Sequence, residues 1–200
     1  MIVMTGAAAT QGMVSNSPGA HWTRRALLSA AVWLAAAASR ASPARAADDD
    51  EIEEFDASGK SLGVTRLAKV AKSLAEWRAS LSPLAFDVTR QEGTEPAFSG
   101  AYWNTHDEGL YRCVCCDTAL FDSATKYDSG TGWPSYWRPI AKTNVAESDD
   151  RSYGATRVAV SCRRCDAHLG HVFTDGPKPT GLRYCMNSVA LRFVAREKAS

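Results

Sequence analysis

The chain has 200 residues, 45% of them apolar, with 23 Lys plus Arg against 22 Asp plus Glu for a net charge of +1, and six Cys. Such a composition excludes a disordered or collagen-like chain, and the length suits one compact domain. The charge is unevenly spread: the first 46 residues hold four Arg and no acid, so residues 47–200 carry 19 basic against 22 acidic groups, a net −3. A mildly acidic domain is a poor generic binder of nucleic acid, and no nucleic-acid partner is expected.

Residues 1–46 read as an address. Thr23-Arg24-Arg25-Ala26-Leu27-Leu28 opens a short apolar run, Leu27 to Ala38, and Ala44-Arg45-Ala46 offers the alternating small residues that a signal peptidase cuts after. The run is short for crossing a bilayer. The segment resembles a bacterial twin-arginine export signal, which implies cleavage near Ala46-Ala47 and a periplasmic destination. A membrane anchor and an organelle transit peptide are the competing readings; the paired arginines directly ahead of the apolar run favour export. No stable membrane insertion is expected once the leader is removed.

Residues 47–65 begin with the acidic run Asp48 to Glu54 and read as a solvated tail and linker. A helix is expected next, because Leu67, Val70, Ala71, Leu74, Trp77 and Leu81 recur at helical spacing and the pattern stops before Pro83. From Leu84 onward Gly, Pro, Asn and Asp punctuate short runs rich in Val, Tyr, Phe and Trp, the pattern of small β-strands joined by loops. Residues 66–200 are therefore expected to form one domain, mainly β (α+β).

Cys113-Val114-Cys115-Cys116 and Cys162-Arg163-Arg164-Cys165 each place two thiols on a tight turn. Two such knuckles can close a four-sulfur tetrahedral site around one structural zinc, leaving no open position for chemistry. Disulfides are the rival reading in an exported protein. Twin-arginine substrates cross the membrane already folded, however, so zinc can occupy the thiolates beforehand. A thioredoxin-like redox pair would need a βαβ pattern nearby, and neither pair has one.

Cys185 lies in an apparent strand, Gly181 to Phe193, whose alternation puts Arg183, Cys185 and Asn187 on one face. A guanidinium two positions away favours a thiolate, and the Asn187 amide can donate to an oxygen bound beside the sulfur. A buried, inert thiol is the plainer reading. His168 and His171, just past the second knuckle, are proton donors at neutral pH, with a second metal site or core packing as alternatives; His21 and His106 have no comparable context. Trp133, in the turn Gly130-Thr131-Gly132-Trp133-Pro134-Ser135, can present an indole face to a small apolar group or simply fill the core. Residue chemistry alone allows thiol redox or acyl chemistry on a small group.

Seven segments taken in order carry a specific resemblance: Glu92 to Gly100, the first knuckle with Leu120-Phe121, Lys126 to Ser135, the second knuckle, His168 to Phe173, Asp175-Gly176-Pro177, and Arg183 to Ser188. Together they resemble the peptide-methionine (R)-S-oxide reductases, the B-type methionine sulfoxide reductases (MsrB), from about Leu67 to Val194. The resemblance implies two small antiparallel sheets with a preceding helix, clamped by one structural zinc on Cys113, Cys116, Cys162 and Cys165. It implies that Cys185 attacks the sulfoxide sulfur and becomes a sulfenic acid. His168, His171 and Asn187 would handle the oxygen, Arg183 would support the thiolate, and Trp133 would pack on the substrate methyl group. The implied partners are oxidised proteins carrying methionine sulfoxide and a thioredoxin-like thiol reductant.

One position departs from the pattern. Many members carry a resolving cysteine where this chain has Thr131, and threonine cannot form the internal disulfide. Cys115 is the one spare thiol, but it sits inside a knuckle, so direct reduction by an external thiol is the expectation. A non-catalytic exported zinc module that binds a protein partner through its Tyr and Trp cluster is the alternative reading.

Overall fold

The computed structural model describes residues 49–154 and 156–196; the leader with Arg24 and Arg25 lies outside them. Among the described residues no helix is long and apolar enough to cross a membrane.

Strands β1 (Asp49–Phe55) and β2 (Ser61–Ala68) form an antiparallel ribbon. Asp56 closes the turn by accepting from the backbone N–H groups of Ser58 and Lys60 at 2.9 and 3.0 Å, and Gly59 takes the left-handed conformation at φ 83°. From Asp49 the acidic run is therefore a strand and not a solvated tail, and residue 66 falls inside β2 instead of opening the domain. Acidic side chains flank a single inward residue, Ile52, which is 2% exposed. The strand is held from a distance: Glu53 donates its N–H to Asn144 Oδ1 at 2.9 Å and accepts from Asn144 Nδ2 at 2.8 Å.

The helix expected over 67–81 begins only at Leu74, since Leu67 belongs to β2. Helix α1 (Leu74–Ser80) starts where Ser73 and Glu76 form a reciprocal capping box, satisfying two N–H groups that would otherwise lack partners. Its Trp77 is buried, as the stripe implied. A second helix, α2 (Pro83–Gln91), replaces the strand character expected from Leu84. Ser82 accepts from Ala85 N–H, Pro83 sits at the first helical position where its missing N–H costs nothing, and Glu92 closes the helix at φ 58°. Ala85, Phe86 and Val88 are buried.

The remainder is mainly β, as expected, in two antiparallel sheets. One has three strands, in the order β11 (Leu191–Ala195), β3 (Gly109–Cys113), β4 (Ala119–Asp122). The other has six, in the order β5 (Lys126–Tyr127), β6 (Ser135–Tyr136), β10 (Arg183–Met186), β9 (His168–Phe173), β8 (Arg157–Cys162), β7 (Val145–Asp150). The core lies between them: Tyr111 and Phe121 of the smaller sheet meet Tyr136 of the larger, and the Phe121 and Tyr136 rings stack at 4.4 Å between centroids. The ribbon is an addition to the two sheets that the resemblance implied.

Candidate functional site: a four-cysteine cluster and a thiol pocket

The two knuckles are the same turn made twice. Cys113 and Cys162 close β3 and β8, and each carbonyl accepts from the N–H four residues on, at Asp117 and Asp166, both at 2.9 Å. Asp117 and Asp166 adopt left-handed backbones at φ 63° and 55°, which a short polar side chain tolerates. The turns bring Cys113, Cys116, Cys162 and Cys165 together with all four sulfurs within 4.8 Å of one another. Cys113 Sγ lies 3.6 Å from Cys165 Sγ, and Cys116 Sγ lies 3.5 Å from Cys162 Sγ. Thiolates about 2.3 Å from one tetrahedral ion stand about 3.8 Å from each other, so the cluster fits a single metal ion. All six cysteines are free thiols, which sets the disulfide reading aside.

Cys185 sits on β10 with Ser135 of β6 on one side and His171 of β9 on the other, each directly opposite in register. Such close strand approach needs Gly170, because a Cβ there would overlap the Cys185 carbonyl. The thiol is partly exposed and opens into a pocket of about 140 Å³ bounded by Trp133, Arg157, His171, Phe173 and Asn187. A larger cavity of about 450 Å³, between α2 and the turn at Ser188, contains no thiol or imidazole.

Each sequence-predicted residue has a definite place. Arg183 binds the Asp175 carboxylate through Nε and Nη2, both at 2.9 Å, and lies over the Phe173 ring at 4.4 Å. Burial pushes the Cys185 thiol up, and Thr131 and then Arg183 oppose that rise without cancelling it. The resting sulfur is thus a thiol at neutral pH, where sequence reasoning favoured a thiolate. Asn187 accepts from Glu95 N–H at 2.9 Å and donates to the Leu169 carbonyl at 3.0 Å, which leaves one amide hydrogen for the pocket. Trp133 donates through Nε1 to the Glu95 carbonyl at 3.0 Å, which fixes the indole as one wall.

The two histidines part company. Their rings are 5.2 Å apart between centroids, but only His171 borders the Cys185 pocket. His171 Nε2 lies 2.8 Å from Asp150 Oδ2. His168 opens on a separate cavity beside Trp77 and Arg90, and its Nε2 is buried without a hydrogen-bond partner. Burial first, and His171 second, hold the His168 pKa down at about 4. Thr131 places its Oγ1 3.9 Å from Cys185 Sγ, so the departing position adjoins that sulfur. Cys115 instead borders Thr89, Arg90 and sulfurs of the four-cysteine cluster.

Two residues that sequence reasoning gave no role complete the site. Glu95, 2% exposed, accepts from the N–H groups of Ser188 and Val189 at 2.6 and 2.9 Å, and its own backbone holds Asn187 and Trp133. It lies in a segment that carried the resemblance, which was the available signal. Asp150 had no local signal, being one of three acids in strand β7.

A two-sheet fold joined at a four-cysteine cluster that can hold one metal ion, with a further thiol in an aromatic pocket, defines a thiol protein with a candidate metal centre. Residues 81–195 match the SelR domain. Proteins named peptide methionine sulfoxide reductase MsrB are similar over nearly their whole length. That of Acinetobacter baylyi is 55% identical over 132 residues, covering 66% of this chain and 95% of the relative. That of Herminiimonas arsenicoxydans is 59% identical, covering 64% and 93%, and that of Pseudomonas aeruginosa is 56% identical, covering 66% and 99%. The chain belongs to the SelR-domain family of the MsrB proteins.

The neutral state of His168 has a consequence for stability. Between pH about 6.5 and 4 the unfolded chain binds a proton that the folded one refuses, so this residue removes stability as pH falls through that window, by on the order of 3 kcal/mol in full. Denaturant unfolding of a His168→Asn variant should show a flatter decline from pH 7 to 4.5 than the parent. Parallel declines would assign the acid sensitivity elsewhere.

Proposed function

We propose that this chain is a peptide-methionine (R)-S-oxide reductase that repairs oxidised proteins, with Cys185 as the nucleophile. Family membership supports the activity, and the observation that carries the mechanism is the placement of the Cys185 thiol across the strand register from His171 in a pocket walled by Trp133. The indole face packs on the methyl group of the side chain, while the remaining Asn187 amide hydrogen and His171 address the oxygen. The sulfur of Cys185 bonds to the sulfoxide sulfur, the oxygen takes up a proton and passes to Cys185, and methionine departs. Atoms and charge balance as thiol plus sulfoxide giving sulfenic acid plus thioether; Cys185 loses the two electrons that the substrate gains.

The same reading assigns recycling to an external thioredoxin-like thiol. Two reductant thiols convert the sulfenic acid to thiol and water and leave as a disulfide. Thr131 beside the sulfur and Cys115 beside the metal cluster support it. Zinc is the ion that best suits four thiolates in a closed tetrahedron, where it would staple the fold and take no part in the reaction. Export by the twin-arginine route to the periplasm rests on the leader alone. The exported protein's N-terminus, sequenced from a periplasmic fraction, should begin near Ala47, and retention of Arg24 and Arg25 would overturn that route.

Cys185→Ser should lower reduction of a peptide carrying methionine (R)-sulfoxide by more than about a thousandfold, the scale of a lost nucleophile. Zinc content, measured by elemental analysis, should stay near about one per chain. Surviving activity would refute Cys185 as the nucleophile, and a parent chain without activity would leave the non-catalytic zinc module.

A further inference from the structure

Asp150 and Arg157 face each other in register at the turn end of the β7–β8 hairpin. Asp150 Oδ2 receives Arg157 Nη2 at 2.6 Å as well as His171 Nε2 at 2.8 Å, and Oδ1 accepts the Ser152 N–H at 2.8 Å. Both residues of the Asp150–His171 contact are largely shielded, with side chains 15% and 11% exposed. Hydrogen bonds from Ser152, then from His171, hold the Asp150 carboxyl below the usual range, so it is an anion that can only accept. His171 Nε2 must therefore carry the hydrogen, and the imidazole nitrogen left for the pocket is Nδ1. The titratable and charged groups facing His171 are Asp150 on β7, Arg157 on β8, His168 on its own strand and Cys185 on β10. Asp150 is the one anion among them, since Cys185 rests as a thiol.

We infer that Asp150 is a positioning residue for sulfoxide reduction: clamped by Arg157 and Ser152, it fixes the ring of His171 through Nε2 so that Nδ1 delivers the proton to the sulfoxide oxygen. This rests on the reductase reading above. His171 carries a proton on each nitrogen before the step; Nδ1–H passes to the oxygen as the sulfur of Cys185 bonds to the substrate sulfur. The neutral ring, its Nε2–H still on Asp150, then takes at Nδ1 the proton that the Cys185 thiol loses on bonding, so the net change remains thiol plus sulfoxide to sulfenic acid plus thioether. The Asp150 charge compensates the imidazolium in a site shielded from water, and His168, buried and neutral, cannot take its place.

Reduction of a methionine (R)-sulfoxide peptide by the full chain, followed from pH 6 to 9, tests this. Asp150→Asn keeps the shape and removes the charge; it should lower kcat about ten- to a hundredfold at pH 8, with KM changed less than about twofold, and the loss should shrink toward pH 6. Asp150→Glu should restore most of the rate. In a His171→Asn background, Asp150→Asn should add less than about a twofold loss, because its effect acts through the ring. An unshifted pH profile in Asp150→Asn, or an equal loss in the His171→Asn background, would overturn the inference. If Asp150→Asn does not fold, the Asp150→Glu profile decides: an alkaline limb that moves only when His171 is present supports the inference, and a limb that moves regardless refutes it. Activity in Cys185→Ser would instead refute the underlying reading, so the two failures are distinct.

Discussion

The structure depends on the closure of four sulfurs around one point. Cys113 terminates a strand of the three-stranded sheet and Cys162 a strand of the six-stranded sheet, so an ion held between the knuckles would tie strand ends of two sheets that also share a side-chain core. The second knuckle leads through Ala167 directly into β9, which carries His168 and His171. Fixing Cys165 therefore fixes the phase of that strand, and β9 pairing with β10 passes the constraint to Cys185. Arg90 of α2 donates to the Cys165 carbonyl at 2.7 Å and stacks on Trp77 of α1, so both helices brace the same knuckle.

Within that frame the pocket is held by buried polar groups that leave little freedom. Glu95 joins the loop ahead of β3 to the turn after β10, and its carboxylate and backbone together reach Trp133, Asn187, Ser188 and Val189. Preorganised groups of this kind cost nothing to arrange at the moment of reaction. The balance at Cys185 is instructive: burial raises the thiol more than Thr131, Arg183 and Ser135 lower it. A protonated resting sulfur is slow toward adventitious oxidants.

What was legible in the sequence was local. Cys-x-x-Cys spacing specifies a knuckle within four residues, and the alternation around Cys185 places it on a strand. The resemblance rested on contiguous segments, each short enough to keep its meaning without the fold. The capping box at Ser73 and Glu76 and the Ser82-Pro83 helix start were equally local but were outweighed, by a helical stripe running back to Leu67 and by the turn-rich composition after Leu84. Strand β1 was hidden because its tie to Asn144 spans 91 residues and only Ile52 marks its inner face. The Asp150–His171 contact and the division between the two histidines are products of strand pairing, which no single segment records.

The central claim is that the Cys185 sulfur receives the oxygen. The most direct measurement is a single turnover of the reduced protein with a methionine (R)-sulfoxide peptide, without reductant, in the presence of a sulfenic-acid-trapping dione, followed by peptide mass spectrometry. The account predicts a dione adduct on Cys185 in amounts matching the methionine formed. Methionine formed with Cys185 unmodified, or an adduct confined to Cys115, would contradict it.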